Sequence, residues 1–174
     1  MKLANILRVV IFVTAAAFLI FNQDHSVSTG IVVVQYVSVA IAFGSAVLFK
    51  IDSSGNKLFP FVIPGAISFI VALMSILVNP STPSFALSLL TGLIAFFTGG
   101  NAVADLVLAS RSEKTDKLEL RISAAIGLLT ALVFWLGNLD GLNAVGFFSA
   151  YLSIFAVQRA IWLASPKSKE EERV

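Results

Sequence analysis

The 174-residue chain has no cysteine and one histidine, His25. Disulfides, iron–sulfur clusters, thiolate zinc sites and cysteine nucleophiles are therefore excluded. A metal or haem site built on several imidazoles is excluded too, and a histidine-based catalytic dyad has a single candidate. Charge is also scarce, at 13% of residues, about half the usual share for a soluble domain. The net charge of +2 is too small to suggest nucleic-acid binding. No Walker loop is present, and no G-x-G-x-x-G follows a strand.

What is abundant is apolar. Hydrophobic residues make up 57% of the chain, and mean hydropathy is +0.93. These values point to an integral membrane protein. About 20 mostly apolar residues cross a bilayer as a helix, and six stretches qualify: 4–21, 30–49, 59–78, 84–109, 120–137 and 142–164. They are apolar on all sides, unlike the alternating strands of a barrel. The expected fold is an all-α membrane protein with a single transmembrane domain over 1–164. A short charged tail, 165–174, follows. Lys2 and Arg8 before an apolar run resemble a signal peptide, but NQDHS after Phe21 offers no small-x-small cleavage site. The run is read as an uncleaved first helix.

The twelve basic residues sort without exception. Lys2, Arg8, Lys50, Lys57, Arg111, Lys114, Lys117, Arg121, Arg159, Lys167, Lys169 and Arg173 all fall at one end of the spans. The intervening turns near Asn22, Asn79 and Asn138 hold none, and carry Asp24, His25 and Asp140 instead. The positive-inside rule places both termini in the cytoplasm, which implies a multi-pass protein of the cell membrane. Asp140-Gly141 reads as a turn former, and His25 as an exposed loop residue without a role of its own.

The three outer turns begin at Asn22, Asn79 and Asn138, 57 and 59 residues apart. The chain reads as three helical hairpins of a repeated unit. The segment PGAISFIVALMSILVNPSTPSFALSLLTGLIAFFTGGNAVADLVLASR, Pro64 to Arg111, resembles the repeat unit of HdeD-like membrane proteins. That unit has a small-residue-rich helix, an Asn-Pro turn, and a second helix with Gly near its inner end. The other hairpins depart from it, with Asn22-Gln23 and Asn138-Leu139 at the turn. The resemblance implies six spans and an association with bacterial acid resistance. It brings no catalytic residues.

Ionisable groups inside a bilayer are costly and mark sites. Asp105 lies six residues before Arg111, in the inner half of its span, with Asn101 one turn earlier on the same face. Arg159 occupies a comparable depth on the sixth span, and Arg8 and Arg121 lie near other inner helix ends. The candidate polar cluster is thus Asn101, Asp105, Arg159, Arg121 and Arg8. An arginine paired with Asp105 would tie helices together. A polar pocket open to the cytoplasm around Asn101 and Asp105 would instead suit a small transporter or channel. Thr91 and Thr130 are among the few polar groups deeper in the spans, and no carboxylate lies at a midplane. Gly100/Ala104, Gly127/Ala131 and Gly146/Ala150 are each four apart and suit helix seams, within one chain or between copies. Trp135 and Trp162 suit the interfacial belt. The expectation is a non-enzymatic protein with no cofactor or metal, partnered by membrane lipids. A reporter fused after Val174 is expected to be active only on the cytoplasmic side; activity outside the cell would reverse the topology.

Overall fold

The computed structural model describes residues 2–51, 58–112 and 114–164. The tail 165–174, with Lys167, Lys169 and Arg173, and the inner-connection residue Lys57 lie outside the described residues. The described chain forms α1 (Lys2–Phe21), α2 (Val27–Ile51), a π-helical turn (Leu58–Val62) running into α3 (Ile63–Leu77), α4 (Pro83–Arg111), α5 (Lys114–Leu136) and α6 (Gly141–Ala164). All six spans are long and apolar enough to cross a membrane. The protein is an all-α, multi-pass membrane protein. Six antiparallel crossings bring the start of α1 and the end of α6 to one end of the bundle, here the terminal end. The opposite end carries the short turns.

Those turns are built by side chains that cap the next helix. Ser26 Oγ accepts the Thr29 amide, Thr82 Oγ1 accepts the Phe85 amide, and Asp140 Oδ1 accepts the Asn143 amide. Each satisfies an N–H that the first helical turn leaves without a carbonyl. Pro83 follows the Thr82 cap, where a missing N–H costs nothing. Asp140, expected as a turn former, is more specifically the cap of α6.

Packing partners cut across the hairpins. α1 meets α2 and α3 meets α4, but the most extensive seams join α4 to α5, α2 to α3 and α1 to α6. α5 and α6 touch sparingly, although only 137–140 separate them. Small residues explain the closest seam. A Cβ on Gly127 of α5 would lie 2.9 Å from Ala102 Cβ and 3.0 Å from the Thr98 carbonyl of α4. Gly99 of α4 faces Ala131 of α5, and Gly100 faces Ile67 of α3. Lipid supplies no hydrophobic drive between helices, so such close approach supplies the attraction. Gly146 is different. Nothing lies within 4 Å of its Cβ position, and neighbouring Ala150 is exposed. The expected Gly146/Ala150 seam is therefore not one between helices of this chain.

The core centres on α1, α4 and α6. Phe12 packs edge-on against Phe97 and Phe155, with ring centroids 6.5 and 5.2 Å apart. Tyr151 lies stacked on Phe148 and beside Phe155. Leu90, Ile94, Val71 and Leu152 fill the remainder. Trp135 stands exposed near the turn end of α5, as an interfacial residue would. Gly127→Leu should lower detergent-state stability by about 1–3 kcal/mol, because the neighbours are backbone and Cβ atoms that cannot rotate away. Gly146→Leu should stay within about 0.5 kcal/mol of the parent. Thermal denaturation of the two variants side by side checks both.

Candidate functional site

Near the terminal end, Arg159 is buried to 1% exposure. It is placed there by α6, whose face toward α1 and α4 carries Leu152, Phe155, Ala156 and then Arg159. Its guanidinium meets three helices. Nη2 donates to Asp105 Oδ2 of α4 at 2.9 Å and to Ser123 Oγ of α5 at 2.9 Å. Nη1 donates to Glu119 Oε1 of α5 at 2.7 Å and to Asn5 Oδ1 of α1 at a longer 3.4 Å. One face of the fork lies over the Phe155 ring, 5.1 Å from its centroid, within cation–π range. Both carboxylates are buried, at 6% each for Asp105 and Glu119.

A second cation stands beside the fork. Arg8, half-buried on α1, donates through Nη2 to the Pro60 carbonyl at 3.4 Å. That carbonyl is open for a local reason. Pro64 has no N–H to return to it one α-turn later, and the chain passes through the π turn there instead. Arg8, Asp105, Arg159, Asn5 and Pro60 together line a cavity of about 10 Å³, the volume of a single water. Asn5 Nδ2 and Arg159 Nε reach no protein acceptor.

Of the five residues expected to cluster, the structure brings together Asp105, Arg159 and Arg8. Asn101 is not in the group: its Nδ2 donates to the Phe97 carbonyl of its own helix at 2.7 Å. Arg121 is also outside it, exposed on α5. Glu119 faces inward, and two residues advance a helix by about 200°, so Arg121 faces away. Sequence reading missed Glu119, Ser123 and Asn5. Their signal was spacing: Glu119 and Ser123 are four apart, and Asn5 and Arg8 three apart, so each pair shares a helix face. The deeper polar groups serve their own helices. Thr91 Oγ1 donates to the Leu87 carbonyl and Thr130 Oγ1 to the Ile126 carbonyl.

The arrangement is charge-balanced, two arginines against two carboxylates. Its chemistry is attachment: Arg159 and Arg8 connect α1, the entry to α3, α4, α5 and α6. Among the described residues no group of His, Asp and Glu has metal-binding geometry. Comparison with protein-family models, curated proteins and solved structures finds no match.

At the turn end, Asp24 accepts hydroxyl donors from Thr29 at 2.7 Å and Ser26 at 2.9 Å. These bonds, Thr29 first, hold its carboxyl below the usual carboxylate range. His25 beside it is exposed. A depressed carboxyl contributes stability above its unfolded pKa and loses it as pH falls through its folded pKa. The stability gap between the parent and Asp24→Ala should therefore shrink steadily on acidification below that range, as read by melting temperature against pH. A gap independent of pH would show that the charge contributes nothing.

Arg159 serves two acids, and this sets an order of severity. Arg159→Leu strands both, and should cost about 3–5 kcal/mol, the range for a broken buried pair in soluble proteins. Asp105→Leu leaves Arg159 on Glu119, Ser123 and Asn5, and should cost less. Adding Asp105→Leu to Arg159→Leu should recover part of the loss. A double-mutant cycle with no coupling would refute the pairing.

Proposed function

We propose that the chain is a non-enzymatic integral membrane protein of structural, stress-protective type, set in a bacterial cytoplasmic membrane with both termini in the cytoplasm. The observation that carries this reading is how the intramembrane charges are used. Arg159, Asp105, Glu119 and Arg8 are spent on one another and on backbone, around a cavity of about 10 Å³. A transport site needs charges that can exchange a protein partner for a substrate. Here the acids hold the helices in place.

Two further features support a protective role. The outer turns carry only three titratable side chains, Asp24, His25 and Asp140. Both acids are engaged in hydrogen bonds at the start of the following helix. The likeness of Pro64–Arg111 to the HdeD-like repeat unit points the same way.

A bacterial host expressing the chain should survive an acid challenge better than one expressing Arg159→Leu. Liposomes holding the purified protein should pass protons and small ions no faster than protein-free liposomes. A flux that the parent supports and Asp105→Asn abolishes would replace this reading with a transporter.

A further inference from the structure

A groove runs along the outside of α2 and α3, on a face that no other helix covers. It encloses about 750 Å³. Its floor is made of small residues, Ala42, Ser45, Ala46, Gly65 and Ala66, and its walls of Phe43, Phe49, Phe69 and Leu73. Phe43 is 72% exposed and Phe69 60%. Lys50 stands at the terminal end of the groove, exposed, one residue before α2 ends. Lys50 makes no ion pair or hydrogen bond with another described residue. The groove reaches from Lys50 to Val39 along α2 and from Phe61 to Ile76 along the π turn and α3, eleven and fifteen residues, or roughly 16 and 22 Å at the helical rise. That is at least the depth of one leaflet of a bilayer whose hydrocarbon core is about 30 Å thick.

We infer that this groove is a binding site for one anionic glycerophospholipid, with an acyl chain lying between α2 and α3 and the phosphate at Lys50. Three features argue for it together. The floor is too small-sided to meet another surface without a filler, and a methylene chain fills such a channel while Phe43 and Phe69 flank it. The groove is long enough to hold an acyl chain of that leaflet along its whole length. The one charge among the lining residues is Lys50, placed at headgroup level and not paired with another described residue, so an anionic headgroup is preferred over a zwitterionic one. A lysine near a membrane surface favours anionic lipid by about five-fold. The inference is independent of the protective function proposed above, since it concerns a face that the arginine cluster does not touch.

Native mass spectrometry of the full chain released from detergent, with equal amounts of phosphatidylglycerol and phosphatidylcholine of identical chains, tests it. The parent should retain one phosphatidylglycerol about five-fold more often than phosphatidylcholine. Lys50→Gln should bring that ratio to about one while leaving some lipid bound. Ala46→Phe with Ala66→Phe, which fills the floor from the lipid side, should remove both adducts without lowering the melting temperature. Arg121→Gln, an exposed cation at the same end but off the groove, should keep the parent ratio. Equal retention of the two lipids by the parent would overturn the inference. So would a fall in Arg121→Gln as large as that in Lys50→Gln, because the preference would then belong to general surface charge. Adducts undiminished in the filled-groove variant would place the lipid elsewhere and overturn it equally.

Discussion

A guanidinium inside an apolar bundle has to be given acceptors, because water is not there to supply them. Arg159 is that group, and its acceptors dictate where three other helices stand. Asp105 fixes the depth of α4 against α6. Glu119 and Ser123 fix the rotation of α5 about its own axis, since only one face of α5 carries them. Asn5 and Arg8 fix the start of α1, and Arg8 extends the network to the open carbonyl of Pro60. The seam between α5 and α6 is otherwise thin. Polar attachment takes over where apolar packing gives little.

Two modes of cohesion therefore divide the molecule. At mid-depth, α4 and α5 approach through Gly99, Gly127, Ala102 and Ala131, and dispersion between close backbones holds them. Around α1 and α6 the packing is aromatic, with Phe12, Phe97, Tyr151 and Phe155 in mutual contact. At the terminal end the network of charges takes hold. Each mode suits its depth: contacts without polar groups lie where hydrocarbon surrounds the chain, and paired charges lie near the interface, where their burial costs less.

The six spans were legible because a run of about 20 apolar residues matches the hydrocarbon thickness of a bilayer and exceeds what a small soluble core can bury. Asp105 was legible for the same reason, as a lone carboxylate in such a run. Matching depth offered Arg159 as a partner beside Arg121 and Arg8, and the structure selects Arg159. Glu119 was not legible, because it sits at the edge of the polar stretch between α4 and α5 and reads there as a solvated charge. Only the extension of α5 back to Lys114 turns it inward. Asn101 misled for the opposite reason. It shares the face of Asp105, but a carbonyl one turn back on α4 satisfies it first. Helix pairing was not legible either: Gly127 and Gly146 look alike in sequence, and only their neighbours distinguish a seam from an open face.

The hydrogen bond between Asn5 and Arg159 spans 154 positions of the chain, and this separation bears on how the molecule is made. Helices enter a membrane in order of synthesis, so α1, α4 and α5 are in place before the residue that neutralises them exists. Asp105 and Glu119 are made before Arg159, the cation that they share. α6 thus supplies the group that fastens α1, α4 and α5 to one another. Before residue 159 is added, Arg8 stands beside Asp105 but the cation that both acids share is absent, so the order of synthesis is also the order in which the cluster gains its charge balance.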